Sequence, residues 1–128
     1  MAEALLFLSQ ELSSDDFKVK INSIYRIKVV ISLCSNDQIQ QKMIPMIDKI
    51  LKDEEDEVIF SIAKELAPIF FLVPKSQNEI IRMLSSLCEM EETVIRDQAV
   101  ESLISIFARV KEPDTQDQIC QLVHRVTF

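Results

Sequence analysis

The sequence predicts an all-α fold, a solenoid of stacked helix pairs. Three observations carry this. The chain contains no glycine, its apolar residues recur at spacings of three and four, and one segment pattern returns three times. Lack of glycine argues against hairpin-rich β folds, whose tight turns favour it. It also removes P-loops, dinucleotide fingerprints and nucleophile elbows, which need Gly where backbone approaches a ligand or φ turns positive.

The repeat is found by aligning Asp15–Ile27, Glu54–Leu66 and Glu91–Leu103 with Val19, Val58 and Ile95 in register, 39 and 37 residues apart. Acidic residues then coincide three positions earlier, at Asp16, Glu55 and Glu92. Small or apolar residues coincide at Ser23, Ile62 and Ala99, then at Ile24, Ala63 and Val100, and large apolar ones at Ile27, Leu66 and Leu103. This is the periodicity of an amphipathic helix. Each segment follows another helix, predicted over about Glu3–Leu12, Asp37–Lys52 and Ser76–Cys88. A fourth leading helix is expected from near Thr115, carrying Ile119, Leu122, Val123 and Val126.

A helix–turn–helix unit of this period belongs to HEAT-like and armadillo-like solenoids, in which stacked neighbours bury faces that no single repeat can bury alone. The 128 residues read as one such domain, with repeats at about 1–35, 36–74 and 75–112 and the start of a fourth at 113–128. Pro45 and Pro68 fall inside helices, where proline costs about 3 kcal/mol and kinks the backbone. Pro74 and Pro113 fall in connections between repeats, where a break is wanted.

Composition narrows the function. Apolar residues make up 48% and charged residues 27%, as a packed soluble core requires. The net charge of −7 argues against nucleic acid as the main ligand and against an anionic membrane surface. The longest apolar run, Leu66–Pro74, is too short to span a bilayer, and the first twelve residues lack the basic start of a signal peptide. Cys34, Cys88 and Cys120 are far apart and His124 is the single histidine, so neither a disulfide framework nor a zinc site is expected. Three buried free thiols in the cytosol or nucleus fit better. No cofactor or metal is implied.

The carboxylates cluster in the turns inside each repeat: Ser13-Ser14-Asp15-Asp16, Asp53-Glu54-Glu55-Asp56-Glu57 and Glu89-Met90-Glu91-Glu92. In a solenoid equivalent turns stack, so these predict an acidic ridge. Helix electrostatics explains one or two carboxylates per turn, at about 0.3–1 kcal/mol each. Five in succession repel one another, and a basic partner accounts for the excess. Catalytic use is disfavoured, because a carboxylate dyad needs a shaped pocket with distinct environments. Arg96, next to Asp97 and four residues from Glu92, suits either a structural link or a partner contact. Phe70, Phe71, Met43, Met46, Met83 and Met90 read as core, with Met90 also placed to be an exposed contact; His124 reads as a structural or surface residue.

The segment Glu89–Ile106, EMEETVIRDQAVESLISI, resembles the third repeat of the scaffold (A) subunit family of protein phosphatase 2A, whose pattern is close to VEETVVRDKAVESL. Glu91 to Val94, Arg96, Asp97 and Ala99 to Leu103 carry the match. Glu54–Val58 with Ala63–Leu66 resembles the family's DEDEV and A-E-x-L, and Asn22-Ser23-Ile24 follows the first acidic turn as in the first repeat. The resemblance implies a non-enzymatic HEAT-repeat horseshoe whose N-terminal repeats hold a B-type regulatory subunit and whose C-terminal repeats hold the catalytic subunit. Carried over, the regulatory-subunit ridge is Asp15, Asp16, Glu55, Asp56, Glu57, Glu91, Glu92 and Arg96. Three repeats and part of a fourth are expected to reach the catalytic subunit only indirectly, and an open C-terminal edge is expected to favour self-association. The family's Gly-containing connections are replaced here by Ser35-Asn36 and Pro74-Lys75. The competing readings are another HEAT-type adaptor, such as a nuclear transport receptor fragment facing basic peptides, and, much weaker, an enzyme on a small helical bundle.

Overall fold

A computed structural model describes residues 2–53 and 55–127. Glu54 of the second acidic turn and the side chain of Val126 lie outside the described residues. The described chain is all-helical, consistent with a helical-repeat solenoid: α1 (Ala2–Leu12), α2 (Phe17–Ser32), α3 (Asn36–Gln38), a π-helical turn (Ile39–Met43), α4 (Ile44–Asp53), α5 (Asp56–Leu72), α6 (Gln77–Leu87), α7 (Thr93–Arg109) and α8 (Pro113–Thr127).

α5 packs against both α2 and α7, while α1, α4 and α6 pack against α2, α5 and α7 in turn, and α8 closes on α7. One continuous core runs between them. The aligned positions are its centre. Ser23, Ile62 and Ala99 are wholly buried, and so are Ile27, Leu66 and Leu103. Polar ties link neighbouring helices as well: Lys28 of α2 bridges Glu65 of α5 at 3.1 Å, and the Ser102 hydroxyl of α7 donates to the Ala63 carbonyl of α5 at 2.8 Å.

The helices differ from those expected in two places. The segment Asp37–Lys52 is not one regular helix. Ile44 N–H bonds back to the Ile39 carbonyl, a π-type step just before Pro45, which has no N–H to give and whose ring crowds the carbonyl four residues back. Pro113 is not in a connection but opens α8, where a missing N–H costs nothing because the first-turn donors have no helical partner. Ser35 caps α3 through a reciprocal capping box with Gln38, a signal present as S-x-x-Q in the sequence.

The glycine-free connections need no left-handed residue. Among the described residues none has positive φ. Leu33 and Cys88 end α2 and α6 in the right-handed region, and Val110 ends α7 extended. The thiols are not uniformly buried: Cys88 is buried, Cys34 is half-buried and Cys120 is exposed on α8. Burial is the main cause that raises Cys88 to a pKa of about 11, with Arg125 opposing and Glu89 reinforcing it, and burial also raises Cys34.

Candidate partner-binding surface

The start of α2, α5 or α7 follows each acidic turn. The three aligned carboxylates, Asp16, Glu55 and Glu92, are the N-cap residues of these helices, and all three have extended backbone. That backbone geometry lets an N-cap side chain reach the free N–H groups of the first turn. Asp16 does so, accepting from Lys18 N–H at 2.9 Å. Glu55 and Glu92 make no side-chain cap bond.

Asp15, Asp16, Glu55, Asp56, Glu57, Glu91 and Glu92 are all exposed. The structure brings the second and third turns together. Asp56 shares a hollow of about 540 Å³ with Glu89, Glu91 and Glu92, with Met90 in its wall. Met90 is partly buried against the core, so it both fills and lines. Beside this hollow, and sharing Asp56 and Glu92 with it, is a trough of about 460 Å³ whose apolar wall is Phe17 and Ile21 of α2, Phe60 of α5, and Val94 and Ile95 of α7. Its charged lining is acidic: Asp56, Glu57 and Glu92. Val94 is 55% exposed and Phe17 38% exposed. Lys64 sits 4.9 Å over the Phe60 ring, one of the cation–π contacts of the fold.

Asp15, Asp16 and Glu55 line neither hollow. Arg96 is set apart from the trough. It donates to Thr93 Oγ1 at 3.2 Å and lines another hollow with Glu89, Asp97, Glu101 and Arg125, so it shares Glu89 with the acidic hollow. Among the described residues no ion pair joins Arg96 to Glu92 or Asp97. Elsewhere Arg26 with Glu11 ties α2 to α1 at 2.8 Å, and exposed Arg125 reaches exposed Glu89 at 4.0 Å. Phe70 is core as expected, and Phe71 stacks edge-on to it at 5.1 Å under the Arg109 guanidinium. His124 is exposed on α8.

Sequence reasoning missed the apolar part of this surface. Phe17 and Val94 follow the N-caps Asp16 and Glu92 by one and two residues, on the turn side of the helix pattern. Large apolar residues in a first turn, off the buried stripe, were the available signal. Among the described residues no group of three or more His, Cys, Asp or Glu is placed to hold a metal ion, and no helix is long and apolar enough to cross a membrane.

No protein-family model matches the chain. Curated relatives do. One is the alpha isoform of the 65 kDa regulatory (A) subunit of serine/threonine-protein phosphatase 2A from Arabidopsis thaliana. The chain is 32% identical to it over 121 residues, covering 93% of this chain and 20% of the relative. This chain is similar to the phosphatase 2A 65 kDa regulatory (A) subunits. The Drosophila melanogaster 65 kDa regulatory subunit is 31% identical, with the same coverage of both chains. The protein phosphatase 2A scaffold subunit of Dictyostelium discoideum is 24% identical over 93% of this chain and 21% of its own length. The chain thus spans about a fifth of the length of the curated relatives it matches.

Proposed function

We propose that the chain is a non-catalytic scaffold segment of protein phosphatase 2A, binding a B-type regulatory subunit through the acidic turns. The observation that carries this reading is the similarity to phosphatase 2A regulatory and scaffold subunits over 93% of the chain. The fold reading that goes with it is a HEAT-repeat solenoid of three helix pairs, at 1–35, 36–74 and 75–112, with a fourth beginning at 113; the helix pairs α1–α2, α4–α5 and α6–α7 fit inside those limits. The direct contact is with the regulatory subunit, and the catalytic subunit is reached through it. Asp56, Glu91 and Glu92 form the centre of the binding ridge, because the turns that carry them meet in one acidic hollow. Charge of one sign across such a surface selects a basic partner and speeds encounter. The segment acts in the cytosol or nucleus.

The test is a pair of pull-downs on the immobilised chain, one with purified B-type regulatory subunit, the other with purified catalytic subunit. The reading is supported if the regulatory subunit is retained by itself and the catalytic subunit only when the regulatory one is added. Retention of the catalytic subunit by itself would overturn the indirect arrangement. A second reading, an adaptor for basic peptides of the nuclear-transport kind, draws on the acidic charge of the trough lining; a basic peptide retained where the regulatory subunit is not would favour it. Self-association is proposed for the α7–α8 face, where Ile104 is 51% exposed beside Phe107 and Val123. Sedimentation velocity of the chain by itself over a concentration series checks it.

A further inference from the structure

The acidic ridge alone does not specify what a partner presents, because exposed charges of one sign attract any basic surface and are screened by salt. The trough between the starts of α2, α5 and α7 adds what charge lacks. Five apolar side chains from three helices face one hollow of about 460 Å³, within the size range of small-ligand and side-chain anchor sites. Two of them, Val94 and Phe17, are exposed enough that covering them gains hydrophobic energy. The charged residues that line it are Asp56, Glu57 and Glu92, the acidic hollow of the second and third turns adjoins it, and the cation nearest its wall is Lys64, 4.9 Å over the Phe60 ring. An acidic side chain entering here meets the carboxylates at the starts of α5 and α7, whereas an apolar side chain between cationic neighbours meets both complementary features at once.

We propose that the trough is the anchor site for a partner segment bearing one or two large apolar side chains, such as Leu or Phe, flanked by Lys or Arg. The identity of that partner as a B-type regulatory subunit rests on the scaffold reading; the chemistry of the segment rests on the trough. The apolar side chain supplies affinity in the desolvated centre, as interface anchors do, and the flanking cations set register along the acidic rim.

The first experiment uses two synthetic peptides of equal charge, one with a Leu-Phe pair flanked by Arg and Lys, the other with Ser replacing the pair. Amide chemical shifts of the isotope-labelled chain are followed in titrations with each. The first peptide is expected to shift Phe17, Phe60, Val94 and Ile95, with affinity about tenfold above that of the Ser peptide, as loss of an anchor worth about 1.4 kcal/mol requires. Equal affinity for the two peptides, or shifts confined to residues outside the trough, would overturn the proposal. Val94→Ser and Phe17→Ser, both at exposed sites, should remove the difference between the peptides at low and at high salt alike, with the helical spectrum retained as the folding control. Failure of the scaffold reading is separable. If purified regulatory subunit binds neither the wild-type chain nor the variants while the Leu-Phe peptide shifts the trough, the anchor chemistry stands and the partner is another protein. If regulatory-subunit binding falls on reversing Glu91 and Glu92 but is indifferent to Val94→Ser and Phe17→Ser, the ridge stands and the anchor does not.

Discussion

The first acidic turn and the later two carry carboxylates at equivalent places and use them differently. Asp16 accepts from Lys18 N–H at 2.9 Å, and the Ser14 hydroxyl accepts from Asp16 N–H at 3.0 Å, so this turn is closed on itself. Glu55 and Glu92 occupy the same N-cap position with the same extended backbone and make no side-chain cap bond. The difference is one methylene. Asp is among the preferred N-cap residues because its oxygen sits at the right reach for the first-turn amides, and the longer Glu side chain is not. An acidic repeat is therefore two things: a helix-closing device where the residue is Asp, and a surface charge where it is Glu. The turns whose N-cap side chain makes no cap bond are also the ones that meet in a shared hollow.

The strongest way to break that comparison is charge reversal. Glu91→Lys with Glu92→Lys should weaken binding of a B-type regulatory subunit by about tenfold or more at low salt, with the loss shrinking as salt rises. The circular-dichroism spectrum should be unchanged and the melting midpoint should fall by only a few degrees, because neither side chain makes a cap bond and only the helix-dipole interaction is lost. Unfolding of the variant would show the carboxylates to be structural, and unchanged binding measured by titration calorimetry would remove them from the ridge.

Asp16→Ala should do the reverse. It removes a formed cap bond and should cost about 1 kcal/mol of stability, seen as a fall of about 4 °C in the melting midpoint, while binding of the regulatory subunit stays unaltered. Weaker binding without loss of stability would put the first turn in the ridge beside the other two.

The fold was largely legible because the aligned positions are fixed by burial. Ile27, Leu66 and Leu103 are all fully buried and share one place in the helix pattern. Departures follow position in the stack. α5, flanked by α2 and α7, buries ten residues, whereas α2 and α7 bury five each, so Val19 and Val100 are only half-buried where Val58 and Ala63 are buried. The π-helical step before Pro45 was not legible, since a proline in a helix pattern announces a disturbance and not which ladder bond shifts to absorb it. Acidic turns were readable as a set, but which of them adjoin was not. The separation of Arg96 from the apolar trough, and the trough itself, contributed by Phe17, Phe60 and Val94, depend on how three helix starts lie side by side. Periodicity along one helix does not contain that information.

The smallest expected effect is the sharpest test of the methylene argument. Glu55→Ala should change stability by less than about 0.5 kcal/mol, since no cap bond is lost and surface substitutions of this kind fall in that range. Glu55→Asp should instead raise stability by about 0.5 kcal/mol, because the shorter side chain, on a backbone already extended at this residue, brings its oxygen to the amides of the first turn of α5. Urea denaturation of the three chains in one buffer resolves differences of this size when the slopes agree. If Glu55→Ala proves as damaging as Asp16→Ala, the uncapped carboxylate is holding its helix through the dipole and not through a bond, and the division between closing and exposed carboxylates collapses. If Glu55→Asp gains stability while binding of the regulatory subunit weakens, the same position is shown to trade helix closure against availability at the surface.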